Sequence, residues 1–492
     1  MARDIGLDNY RSGFCGGCRV VLPPHILPHI SLRRVQQGVR LETNKNKKLI
    51  NRKMKRLLLI LLAVSLSATI ATAQTSREEI DAHPHIALAS HSVYAGAYFF
   101  RPIADAPKGY KPFYISHYGR HGSRHESHVK HPNALLKIAR TADKLGILTA
   151  KGKEMLAAAE YISKAHHNRI GELTRLGVEQ HKAIARRMYS RFKPVFHSGA
   201  IIDSRSSNWV RCVLSMAAFN ESLKECQPML ETHMEAAEEH QSVIRPVRGQ
   251  TTDYGHHKRE TAKHSWDEMF SKWADSRDFT HAKNTLFTDI EPLCKALGKK
   301  EIYIMREIYA RIAFMQNLGQ HDRTLIDSIF TPEERHTLYL YENFRWYALY
   351  YSTVLEDSKR YFAPFYHLID DVVKNADLAI EGKNSASANL RFGHDYYLLG
   401  LLAILNPNEM RSDLDFSDIE RFGEIWRSYR IVSMASNVQF VFYRSKKSED
   451  VLVRILENEN DITLPIKSVE GPFYKWSDLR SYLNARMDLF RK

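Results

Sequence analysis

Aromatic and β-branched residues gather at Pro112-Phe113-Tyr114-Ile115-Ser116 and lead directly into Tyr118-Gly119-Arg120-His121-Gly122. That order predicts a strand running into a tight loop. A second apolar run, Ala200-Ile201-Ile202, predicts a strand ending at Asp203-Ser204-Arg205-Ser206. Beyond it, Asn208 is the expected cap of a helix carrying Val213, Met216, Ala217 and Phe219 toward Leu223. Between the two strands, Thr174 of Gly171-Glu172-Leu173-Thr174 is the expected cap of a helix through Met188 and Phe192. Strand, helix, strand, helix at this pitch implies a parallel sheet with helical cover, whose ligand sites lie at the C-terminal ends of strands.

The pattern then changes period. Ile302, Met305, Ile308, Tyr309, Ile312 and Met315 recur at helical spacing. Thr331-Pro332-Glu333-Glu334 combines a cap, a first-position proline and a reciprocating glutamate. The helix it starts carries Leu338, Tyr341, Phe344, Trp346 and Leu349, an aromatic stripe that reads as core. Strands are expected again at Asn389-Leu390-Arg391-Phe392 and at Gln439-Phe440-Val441-Phe442-Tyr443, and a final helix from Ser477 to Met487. The expected fold is α/β: a parallel-type mixed sheet flanked by helices, with a large, mostly α-helical inserted domain. Residues 74–226 and 388–492 form the core of that scheme and 227–387 the insertion.

Charge adds a leader to this picture. The net charge is +15, yet 13 of the 71 basic residues and three of the 56 acidic ones lie in residues 1–56. A nucleic-acid binder spreads its basic excess over its folded part, so that class is excluded. Lys53, Lys55 and Arg56 precede an uncharged run, 57–73, ending Ala71-Thr72-Ala73-Gln74. Residues 54–73 therefore read as a cleaved signal peptide, too short in apolar residues to span a membrane. The expected location is periplasmic or secreted, with no stable membrane anchor. Signal peptides open a chain, so Met54 reads as the start and residues 1–53 as a non-native extension. Cys15 and Cys18 in that leader make a lone pair, a weak metal signal. Cys212, Cys226 and Cys294 leave room for one bridge and one buried thiol.

The candidate chemistry sits after the first strand. In Arg120-His121-Gly122-Ser123-Arg124 two guanidiniums flank one imidazole. Arginine forks match phosphate oxygens, and neighbouring cations keep an imidazole neutral, the form able to attack phosphorus. Downstream, His394-Asp395 pairs a ring donor with a carboxyl that serves as a general acid or caps the following apolar helix.

These motifs, in this order, resemble the histidine phosphatase superfamily in its acid phosphatase and phytase branch. The likeness runs over roughly residues 85–480. Arg120 to Arg124 match the family's signature loop, Gly171 to Thr174 with Gly177 its next helix start, and Ser206 to Ser215 the segment giving a third arginine. Tyr341-Glu342-Asn343-Phe344 and Phe392-Gly393-His394 look most like multiple inositol polyphosphate phosphatases, which usually carry His-Ala-Glu where this chain has His394-Asp395. The resemblance implies that Arg120, Arg124, Arg211 and His394 hold the phosphate. It implies further that His121 attacks, that Asp395 protonates the leaving oxygen, and that neither a metal nor a cofactor is needed. The implied partner is a small phosphorylated molecule, phytate or another inositol polyphosphate. The alternatives are a sugar-phosphate or broad acid phosphatase, and a phosphate-binding protein without turnover. Candidates for a substrate pocket are His125, which leaves the signature loop directly, and Lys258 and Arg259, which read more plainly as a solvated charged face.

Overall fold

The computed structural model describes residues 74–94, 96, 99–246, 264–320 and 323–491. The leader with Cys15 and Cys18, the signal-peptide run, Lys258 and Arg259 lie outside these residues.

Eight strands form one sheet: β1 (Tyr110–Arg120), β2 (Ile201–Ser206), β3 (Glu231–Glu235), β4 (Ala386–Gly393), β5 (Asn437–Ser445), β6 (Ser448–Glu457), β7 (Asn460–Ile462) and β8 (Tyr474–Lys475). Their order is β3-β2-β4-β1-β5-β6-β7, with β8 on β6. From β3 to β1 every pairing is parallel, and from β1 to β7 every pairing is antiparallel. Alternation along the strands divides the core between two faces. Tyr114 and Tyr118 of β1 and Phe440 and Phe442 of β5 bury on one face. Ile115, Leu390 and Val441 bury on the other.

The second face is covered by α3 (Arg175–Arg191) and α4 (Val210–Cys226), through Ile184, Met188, Met216, Phe219 and Leu223. The first is covered by α1 (Lys130–Lys144), α2 (Ala150–His166), α5 (Glu301–Phe314), α6 (Pro332–Tyr350), α7 (Tyr366–Ile380), α8 (Asp395–Leu405) and α9 (Trp476–Arg491). The helices of 301–380 thus share one apolar core with the sheet. No helix among the described residues is long and apolar enough to cross a membrane.

Both expected threonine caps form. Thr174 Oγ1 accepts from the Gly177 N–H at 3.2 Å. Thr331 and Glu334 make a reciprocal box, with N–H···O distances of 3.2 and 2.9 Å. Asn208 is not a cap. Its amide donates to Glu238 at 3.0 Å, and α4 starts after Trp209 without a side-chain cap. β3 falls inside the stretch expected to be helical. Its Glu-Thr-His-Met-Glu is an edge strand, mostly exposed, and carries no apolar alternation. Cys212, Cys226 and Cys294 are all free thiols, so the bridge left open by their number is not made.

Candidate active site

β2, β4 and β1 lie side by side and end together: Arg120 pairs with Gly393, and Ser206 with Phe392. The loops after these three strands therefore meet at one edge. The loop after β1 brings His121 and Arg124, that after β2 brings Arg211 in the first turn of α4, and that after β4 brings His394 and Asp395 at the start of α8. Two helix N-termini converge on the same place, which favours an anion there.

Backbone contact sets the loop's position. A Cβ on Gly122 would stand 2.5 Å from the Gly177 carbonyl oxygen, and one on Gly177 would stand 2.2 Å from the Ser123 carbonyl oxygen. Only glycine allows this approach of loop to helix. Thr174 fastens it, donating to the Ser123 carbonyl from N–H at 2.9 Å and from Oγ1 at 3.0 Å. On the other side, the His121 N–H donates to Gly393 O at 3.0 Å and His121 O accepts from Ala435 N at 3.0 Å. Ala435, whose N–H meets this loop, and Ala89, which precedes the Ser90 carbonyl that accepts from Arg120, are fully buried and hold φ of 58° and 51°. Such backbone costs about 1–3 kcal/mol at a non-glycine residue.

The tautomer of His121 follows from one bond. Its Nδ1 lies 2.9 Å from the Gly122 carbonyl, which only accepts, so Nδ1 carries the proton. In the neutral ring Nε2 then holds the lone pair. Burial, then Arg211, Arg120 and Arg124, push the ring's pKa well below its ordinary value, so it is neutral.

Arg120 is fully buried. Its Nη1 donates to Ser90 O at 2.5 Å and Val432 O at 2.6 Å, and its Nη2 stands 2.8 Å from Asp395 Oδ2. Arg124 donates to its neighbour's carbonyl, His125 O, at 2.9 Å, and burial followed by Arg211 lowers its pKa to about 10. Arg211 lies under the Trp209 ring, 4.6 Å from the ring centroid. The Nε atoms of Arg120, Arg124 and Arg211 are buried without a hydrogen-bond partner. Three orphaned guanidinium donors in one pocket fit the oxygens of a phosphoryl group.

His394, expected to hold the phosphate, lies against Arg211. Arg211 Nη2 donates to its Nδ1 at 3.4 Å, so the ring's proton lies on Nε2, 3.1 Å from Ser207 Oγ. Both nitrogens face protein groups, and the ring steadies Arg211. Burial and then Arg211 hold it neutral. Asp395 is the first residue of α8 and accepts from the Tyr396 N–H at 3.0 Å. Burial raises its pKa, but Arg120 overrides this and sets it at about 2.

His125 turns away from this cluster. Its Nδ1 donates to His166 Nδ1 at 3.1 Å, since that atom also receives the Glu126 N–H at 3.4 Å. Expectation omits three groups that stand at the site. Trp209 is exposed at its rim. Glu126 is buried, tied to Arg311 of α5, and links the loop to the inserted helices. Arg245 follows the short helix Gln241–Ile244. The charge of Glu126 two positions past Arg124 is a legible hint, whereas Arg245 stands alone among Ile244, Pro246 and Val247 and announces nothing.

No family model and no curated protein sequence matches the chain. Solved structures do. The multiple inositol polyphosphate phosphatase of Bifidobacterium longum, crystallised with inositol hexasulfate, superposes with a TM-score of 0.62 at 18% identity, over 81% of this chain and 97% of that one. The same protein crystallised with phosphate gives 0.60. The phytase from D. castellii gives 0.61 at 14% identity, over 82% and 85% of the two chains. The resemblance carried by the motifs therefore holds at the level of the fold, which this chain shares with these proteins.

Proposed function

We propose that this chain is a phosphomonoesterase acting through a phosphohistidine on His121, with inositol polyphosphates as its substrates. The observation that carries the reading is a neutral imidazole whose Nε2 lone pair is free, buried among arginines whose Nε donors have no partner. Arg120, Arg124 and Arg211 bind the phosphoryl oxygens. Nε2 attacks phosphorus, the bond to the leaving oxygen breaks, and Asp395 gives that oxygen a proton. Water then attacks the phosphohistidine, Asp395 takes a proton from it, and the N–P bond breaks.

Asp395 begins ionised, because Arg120 holds it at about 2. The proton arrives with the substrate. A phosphomonoester has a second pKa of about 6, so in acid it enters as a monoanion. Its charge competes for Arg120, the Asp395 pKa rises, and the phosphate proton passes to the carboxyl. Activity on this account is greatest below neutral pH. A binder without turnover has no use for a carboxyl at this place, so Asp395 favours the enzyme.

The inositol ring as leaving group is supported by the solved proteins of this fold, one of which binds inositol hexasulfate. Export is part of the same proposal and is supported by the leader, 54–73. Phosphate release from phytate is expected to exceed that from glucose 1-phosphate, and His121→Ala is expected to release none from either. Preference for the sugar ester refutes the substrate; turnover by His121→Ala refutes the mechanism.

A further inference from the structure

We infer that helix α5 aims Arg124 at the phosphate, with Glu126 and Arg311 as the positioning pair that docks the loop onto that helix. The inference rests on the phosphate-binding role given to Arg124 above and names the residues that direct it.

The end of the nucleophile's loop lies along one face of α5. Residues 311, 314 and 317 stand about one turn apart, so their side chains share that face. Arg311 pairs with Glu126. The Phe314 ring lies under Arg124, whose guanidinium carbon is 5.9 Å from the ring centroid. Asn317, in the turn Met315–Leu318 that continues α5, accepts from Ser123 Oγ at 2.8 Å. The loop thus sets 126, 124 and 123 against 311, 314 and 317, in register.

Glu126 commits every polar atom to this dock. Its Oε1 faces Arg311, and its Oε2 lies 3.2 Å from His131 Nδ1. Its carbonyl accepts from the Gly171 N–H at 2.7 Å, and its own N–H meets His166 Nδ1 at 3.4 Å. Burial raises its pKa, but Arg311 and His131 override this and keep the carboxyl ionised. The pairing continues into the helices. Arg311 Nε is 3.4 Å from Glu307 Oε2, Glu307 Oε1 accepts from Arg306 Nη1 at 2.9 Å, and Arg306 pairs with Glu342 of α6. The five charges alternate in sign. A buried charge parted from its partner is costly, so the run resists sliding.

Arg124 itself has no carboxylate partner among the described residues. It gives Nη1 to the His125 carbonyl, and its Nε is orphaned. Its remaining donors are therefore directed by the ring beneath it and by Ser123 and Glu126, both held on α5. His121 is fixed by the sheet side, through Gly393 and Ala435. Arg124 is fixed by helices inserted between β3 and β4.

The test uses the whole protein, calorimetric titration with orthophosphate, p-nitrophenyl phosphate turnover and the urea midpoint. Glu126→Gln is expected to raise the Kd of orthophosphate roughly 10- to 100-fold, with kcat/KM falling at least as far. Glu126→Asp keeps the charge and is expected to recover part of both. Phe314→Leu keeps the apolar filling without the aromatic face, and a loss of about 2- to 5-fold in affinity is expected of it. Asp461→Asn breaks the Arg454 pair on β6 and β7 and serves as the control. It is expected to lower the urea midpoint while the Kd stays within about twofold. A folded Glu126→Gln that binds orthophosphate within about twofold of the parent overturns the inference, as does an equal loss in Asp461→Asn. If Glu126→Gln does not fold, unchanged binding by Phe314→Leu overturns it. An unaltered protein that binds orthophosphate but hydrolyses no ester refutes the enzymatic reading alone, and the affinities still decide the role of the pair. One that binds no orthophosphate overturns both.

Discussion

Gly177→Ala adds one methyl group where helix α3 meets the nucleophile's loop. The new carbon would stand 2.2 Å from the Ser123 carbonyl oxygen and 2.9 Å from the Ser123 nitrogen. Carbon contacts open at about 3.5 Å, so helix and loop must part by roughly 1 Å. Two stability effects oppose each other. Alanine in a helix is worth about 0.5–1 kcal/mol over glycine, and forced overpacking costs about 1–3 kcal/mol. The second is larger, because both colliding atoms are backbone and cannot rotate away, so a net loss of about 1 kcal/mol is expected. The effect on turnover is greater. Thr174 holds the Ser123 carbonyl by two bonds, of 2.9 and 3.0 Å, and a receding α3 pulls the loop with it. Misplacement of a reacting group by about 1 Å costs on the order of 100-fold. Turnover of p-nitrophenyl phosphate and the urea midpoint, measured on one preparation, separate the two effects. A variant more stable than the parent, turning over within about threefold of it, refutes the claim that this contact positions His121.

Asp395→Asn is expected to slow release of an alcohol such as inositol by about 10²- to 10⁴-fold and that of p-nitrophenolate far less, because the phenolate leaves without a proton; equal losses in steady-state assays remove Asp395 as the donor. His117 and His181 lie buried behind the site, and burial lowers each pKa to about 3 from 6.5. The unfolded chain binds those protons first, so the stability they contribute above pH 6.5 is lost as pH falls toward 3, at up to about 1.4 kcal/mol per pH unit each. Urea unfolding between pH 7 and 4 is expected to show that fall, and His181→Gln to flatten it; an unchanged slope in the variant refutes the assignment.

Local features of the chain were the legible ones. The strand into Arg120, the cap at Thr174 and the box at Thr331 are each written within a few consecutive residues, and each forms where expected. His121, the three arginines and Asp395 are candidates in loops that leave strands, and the fold brings those loops to one edge of the sheet. What escaped depends on contacts between segments far apart. β3 is strand because β2 offers it an edge, and its own residues carry no apolar period. Asn208 has the right type for a cap, but the helix starts one residue later and Glu238 holds its side chain elsewhere. His394 is legible as a candidate, whereas its contacts with Ser207 and Arg211 depend on a loop far away in sequence.

The pairing order β2-β4-β1 has a bearing on synthesis. β4, the strand between the other two, is made last, so no register holds the ends of β1 and β2 together until Ala386–Gly393 has entered. A growing chain carries His121, Arg124 and Arg211 long before it carries the strand that aligns them or the carboxyl at Asp395. Contacts this far apart in sequence form late and slowly. An unfinished or truncated chain therefore displays loose cations and an idle imidazole, and competence arrives in one step, when the central strand locks between its neighbours.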